Sequence, residues 1–146
     1  MDYNAINTAI SKAYYKDARI SVSYFEDMIL AVTTDGIVMW FIPNKEFLFD
    51  REKITRGKDS LDVKRLVDLN GYKDAVKTEK LVVRDKKTLV IFESGDIEVF
   101  VDTKLLKTFD KTATFKVKSC KSPVFVYEEN KLVGLIMPTR PPRKED

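Results

Sequence analysis

The chain contains no histidine. Histidine is the commonest general base and the commonest metal ligand near neutral pH. Its absence excludes a Ser-His-Asp or Cys-His nucleophilic site within this chain. The single cysteine, Cys120, excludes an intramolecular disulfide and a cysteine-rich zinc cluster, and it fits a reducing compartment. There are only 5 glycines, and neither Gly-x-x-x-x-Gly-Lys-Ser/Thr nor Gly-x-Gly-x-x-Gly occurs, so phosphate-cradling loops are not expected. No apolar run approaches the length of a bilayer-spanning helix. The opening Met1-Asp2-Tyr3-Asn4 is not the basic start of a secretory signal. These absences lead us to expect a cytoplasmic protein with no membrane partner, no cofactor, no metal and no enzymatic activity.

What is present is an ordinary globular balance, 44% hydrophobic and 34% charged, with 9 Phe and 6 Tyr. A length of 146 residues suits one domain with a substantial core. We expect that domain over residues 1–140, followed by a charged tail, 141–146. The net charge of +3 is uneven, with residues 1–50 net acidic and residues 101–146 net basic. The gradient permits loose attraction to a polyanion without requiring one.

Periodicity predicts a helix over residues 4–16. Ile6, Ala9, Ile10, Ala13 and Tyr14 form one apolar stripe, Asp2 or Asn4 caps it, and Asn7, Thr8, Ser11, Lys12 and Tyr15 form a wet face. Strands follow. Ile20, Val22 and Tyr24 alternate with serines, and Met28–Thr33 and Ile37–Ile42 flank Thr34-Asp35-Gly36, a hairpin signal because Asp and Gly tolerate positive φ. Residues 44–59 are charged and ambiguous. A second helix is predicted over 60–70, capped by Asp59 or Ser60, with Val63, Leu66 and Val67 inward and Lys64 and Arg65 outward. Leu81–Arg84, Thr88–Phe92, Ile97–Val101, Ala113–Val117, Val124–Tyr127 and Leu132–Ile136 read as short strands separated by turns. The result is an α+β fold, helix–strands–helix–strands, with two helices packed on antiparallel sheets of about nine strands in all. Each half is a helix followed by a run of strands, a coarse internal echo.

The remaining chemical candidates are weak ones. Asp59 with Asp62, and Glu128 with Glu129, suit a helix start and an exposed turn. Asp96 and Glu98 would share one strand face. Cys120 stands between Lys118 and Lys121, which would favour its thiolate. For a nucleic-acid backbone the candidates are Lys12 and Lys16 on the first helix, Lys64 and Arg65 on the second, and Lys104, Lys107, Lys111, Lys116, Lys118 and Lys121.

Two stretches resemble the bacterial DNA polymerase β sliding clamp, the replicative processivity factor. One is Leu30-Ala31-Val32-Thr33-Thr34-Asp35-Gly36-Ile37-Val38-Met39, preceded by a helix and a strand. The other runs from Ser122-Pro123-Val124-Phe125-Val126 to Leu135-Ile136-Met137-Pro138-Thr139-Arg140. The resemblance implies a single clamp-like domain and a non-enzymatic replication accessory of phage or bacterial kind. It further implies a hydrophobic cleft for replication-protein peptides, formed by Thr34, Asp35, Gly36, Ile37 and Val38 with Ile136, Met137, Pro138 and Arg140. Methionine suits such a cleft, being flexible enough to repack around varied partners. Lys12, Lys16, Lys64 and Arg65 would then face the backbone of duplex DNA.

The chain also departs from that family. A clamp subunit has three domains and carries these motifs in neighbouring ones, whereas here a single domain's length carries both. Where the family has His-Arg after the glycine, this chain has Ile37-Val38. Encircling DNA would require a homo-oligomer assembled head to tail through edge strands. The alternative is a monomeric protein-interaction module with no DNA binding.

Overall fold

The computed structural model describes residues 1–56 and 63–140. Helix α1 (Tyr3–Tyr15) is followed by β1 (Ile20–Glu26), β2 (Ile29–Thr34) and β3 (Val38–Pro43). The short helices α2 (Arg51–Ile54) and α3 (Val63–Leu66) precede β4 (Lys73–Arg84), β5 (Lys87–Ser94) and β6 (Ile97–Asp102). A 3-10 turn, Thr103–Leu106, leads to β7 (Thr114–Val117), β8 (Val124–Glu128) and β9 (Lys131–Ile136). The nine strands form one antiparallel sheet in the order β1-β2-β3-β9-β8-β7-β4-β5-β6. The chain is therefore α+β, as its periodicity predicts. No helix among the described residues is long and apolar enough to cross a membrane.

Three hairpins turn on pairs of residues with positive φ: Asp35-Gly36 (53° and 69°), Asp85-Lys86 (50° and 64°) and Glu129-Asn130 (51° and 61°). This is the geometry whose twist matches that of the flanking strands. In the first, the Ile37 N–H donates to the Thr34 carbonyl at 3.2 Å, and the Asp35 side chain accepts from the Arg19 N–H at 2.9 Å. The turn is thereby held to the base of β1.

Alternation along the strands separates two faces. On one, Leu30, Val32, Val38, Trp40 and Ile136 pack beneath Ile6 and Ile10 of α1 and against Val90, Phe92, Val99 and Val101 from β5 and β6. The other carries Ala31, Met39, Phe41, Phe125 and Leu135, covered by Val63 and Leu66 of α3. Ile6 and Ile10 are fully buried, each contributing about 1.5–3 kcal/mol of apolar transfer. Asp2 caps α1, accepting from the Ala5 N–H at 3.0 Å. Asn7, expected on the wet face, is buried instead. Its amide donates to the carbonyls of Tyr3 and Glu46 and accepts from the Leu48 N–H.

That amide gives residues 44–56 a role that their composition concealed. Asn7 pins Glu46 and Leu48 to α1, Ile54 enters the main core, and Arg56 forms a two-way backbone bridge with Ile20 at the outer edge of β1. Arg56 also pairs with Asp17 and stacks 3.9 Å over the Tyr14 ring. The second helix differs from expectation as well. Its described part is one turn, Val63–Leu66, and the caps expected at Asp59 or Ser60 lie outside the described residues, as does the tail 141–146. A polar strand, Lys73–Lys80, was not expected and forms the first two-thirds of β4.

The two halves of the sheet meet at β3 and β9, which pair at Val38–Ile136, Met39–Leu135 and Trp40–Gly134. A Cβ at Gly134 would lie 2.7 Å from both the Met39 carbonyl oxygen and the Phe109 ring. Only glycine lets Phe109 close over this seam. The Trp40 indole N–H donates to Thr108 Oγ at 2.9 Å, a buried bond beside the same seam. Gly134→Val should destabilise the fold by about 1–3 kcal/mol through overpacking, read as a lower urea midpoint. An unchanged midpoint would contradict this packing.

Candidate functional site

The β3–β9 seam runs out of sheet at Ile37 and Met137. There the Met137 N–H donates to the Ile37 carbonyl at 2.8 Å, joining the two segments that the sequence singles out. Both side chains reach solvent, Ile37 at 46% and Met137 at 38% exposure. Between them lies a small apolar pocket of about 130 Å³. Gly36, Ile37, Val38 and Met137 line it from the two hairpin ends. Its floor is Thr33, Met39 and Leu135 on the α3 face of the sheet, and its walls are Leu66 of α3 and Pro123 before β8. Cofactor-sized ligands occupy clefts of about 300–1,000 Å³, so this volume suits one apolar side chain.

The wall is fixed by neighbouring contacts. Tyr72 stacks on Phe125 with centroids 4.0 Å apart, and its hydroxyl donates to the Pro123 carbonyl at 2.8 Å. Thr33 is buried and donates to the Val38 carbonyl at 2.7 Å, so the polar atom in the floor is already satisfied. What faces the opening is therefore apolar.

Of the nine expected cleft residues, the pocket takes four. Thr34 and Asp35 belong to the turn and hold its backbone. Ile136 is fully buried on the opposite, α1 face. After Met137 the chain turns away, the Thr139 N–H bonding the Phe100 carbonyl of β6 at 2.8 Å and the Arg140 carbonyl accepting from Arg84, so Pro138 and Arg140 do not line the pocket. Thr33, Met39, Pro123 and Leu135 lay inside the two marked stretches, but the outward–inward alternation of β3 and β9 had to be known to select them. Leu66 carried no signal beyond its place in a helical stripe.

The four cations expected to share a DNA surface do not share one. Lys12 and Lys16 are exposed on α1, over one face of the sheet, while Lys64 and Arg65 are exposed on α3, over the other. Lys64 and Arg65 precede Leu66 in α3, and neither lines the pocket that Leu66 walls. Asp96 lies in the turn with Gly95 rather than in β6, so it does not extend a strand face with Glu98. Among the described residues no group of three or more Cys, Asp or Glu side chains is placed to hold a metal ion.

Burial, with smaller contributions from Asp68 and Tyr127, pushes the Tyr72 phenol up from its ordinary value of 10.0 to about 12. A phenol raised in the folded state favours folding below its unfolded pKa and loses that contribution as pH rises toward the folded value. Absorbance titration should find one tyrosine ionising last, near pH 12, and Tyr72→Phe should remove that phase. An unchanged titration in the variant would contradict the assignment. No protein-family model matches this chain, and comparisons with curated proteins and with solved structures likewise give no match.

Proposed function

We propose that this chain is a non-enzymatic, clamp-like binding module whose Ile37–Met137 pocket receives one apolar side chain of a short partner peptide. The observation that carries the reading is the 2.8 Å bond from the Met137 N–H to the Ile37 carbonyl, which brings the two clamp-resembling stretches to one half-exposed apolar pocket. The sheet order supports it further: β1–β2–β3 and β7–β8–β9 are both antiparallel meanders, and their last strands pair with each other. Lys64 and Arg65 are exposed on α3, the helix that supplies Leu66 to the pocket wall, and would favour a peptide with acidic residues near the apolar one.

This reading makes the protein a replication accessory of phage or bacterial kind that holds a replication protein by a peptide. The pairing of β3 with β9 inside one chain favours a self-contained monomer over a head-to-tail ring. Any duplex DNA contact would run along the α1 face, where Lys12 and Lys16 are exposed and where Asp2 of the helix start bonds Thr108 just after the 3-10 turn that bears Lys104. Such contact would be sequence-independent and would weaken steeply with salt.

The test is fluorescence anisotropy with a short acidic peptide carrying a single leucine. Met137→Ala should weaken binding about tenfold, the equivalent of about 1.4 kcal/mol, and replacing the leucine by alanine should do the same to the native chain. Binding unaffected by both changes would sink the pocket assignment. For DNA, anisotropy of a labelled duplex should rise at low salt and fall for Lys12→Glu with Lys16→Glu. A salt-independent signal would remove the DNA part.

A further inference from the structure

Among the described residues, each outer strand of the sheet carries one isolated bridge on its free side, Arg56 to Ile20 on β1 and Thr139 to Phe100 on β6. A longer unpaired edge lies on β4. Its first residues, Lys73–Ala75, pair with β7, and beyond Ala75 only its β5 side is paired among the described residues. The ladder to β5 is interrupted between Lys77 and Leu81, where Thr78 Oγ donates to the Ile91 carbonyl at 2.7 Å and accepts from the Lys80 N–H. A bulge of this kind bends the strand and re-aims its edge.

Three apolar residues stand on this segment. Val76, Leu81 and Val83 are 69%, 61% and 76% exposed. Beside them lies a groove of about 890 Å³ between β4 and the segment from the 3-10 turn to β7, with Val90, Leu106 and Phe115 in its lining. Its charged lining is Lys77, Lys107 and Lys111 against Glu79 and Asp110. Lys80 is engaged by Glu93 at 3.1 Å. Residues 73–84 and 102–111 together carry seven basic and four acidic groups, which equals the net charge of +3 for the whole chain. The local field is thus positive where the rest of the molecule is balanced.

We infer that the outer edge of β4 is a second docking site, which adds an extended, acidic strand of a partner polypeptide to the sheet with its apolar side chains turned into the groove. Main-chain hydrogen bonds to the open edge would supply affinity, alternate apolar side chains would meet Leu81 and Val83, and the lysines would select acidic neighbours. This site is separate from the Ile37–Met137 pocket and does not depend on it.

The probe is a short labelled peptide of alternating valine and glutamate, titrated into the full chain. Saturable binding is expected, about tenfold weaker for the combined Lys77→Glu, Lys107→Glu and Lys111→Glu variant and similarly weaker for a backbone N-methylated peptide. Full affinity should survive in Ile37→Ala with Met137→Ala. Equal binding of the N-methylated peptide, or of a valine–lysine peptide, would overturn strand addition. Loss of binding in the Ile37/Met137 double variant would move the peptide to the other pocket and overturn the second site. Light scattering on the free chain should give a monomer at every concentration, and a dimer dispersed by the three Lys→Glu changes would assign the edge to a second copy instead.

Discussion

Three residue pairs between β3 and β9 hold the two halves of this sheet together. On one side lies the meander β1–β2–β3, and on the other β9–β8–β7, which β4 extends to β5 and β6. The junction is short, so its packing has to be close. Gly134 provides that closeness by offering no side chain where Phe109 and the Met39 carbonyl converge. Trp40 then spans the seam to Thr108 with a buried hydrogen bond, which an apolar core holds more firmly than water would. The same junction creates the pocket. Where the pairing ends, Ile37 and Met137 are left side by side, both partly exposed.

Much of this architecture was legible beforehand, because it rests on local rules. Eight strands and the end of β4 follow runs of β-branched and aromatic residues, and Asp35-Gly36 announces its own turn. The unexpected elements are those governed by distant partners. Lys73–Lys80 reads as a charged loop because both faces of that stretch of β4 are largely exposed, and only its neighbours β5 and β7 make it a strand. Asn7 reads as a surface residue by helical spacing, yet backbone groups at Glu46 and Leu48, some forty positions away, draw it inward. Residues 44–56 are likewise placed by distant partners, Glu46 and Leu48 by Asn7 and Arg56 by Ile20.

The candidate site divides in the same way. The two stretches singled out in the sequence meet at Ile37 and Met137. Which residues of those stretches face the opening depends on sheet parity. Ile136 faces the α1 side and Leu135 the pocket, although they are neighbours in sequence. Helical placement alone groups Lys12, Lys16, Lys64 and Arg65 on one surface. The sheet lies between the two helices, and a single duplex cannot touch Lys12 and Lys64 together along one face.

The central claim is that the end of the β3–β9 seam is a binding site and not merely a gap in packing. Amide chemical-shift mapping of the labelled chain, during titration with the leucine-bearing acidic peptide, tests it most directly. The account predicts the largest shifts at Gly36, Ile37, Leu66 and Met137, with the α1 amides unmoved. Shifts centred elsewhere, or none at saturating peptide, would contradict it.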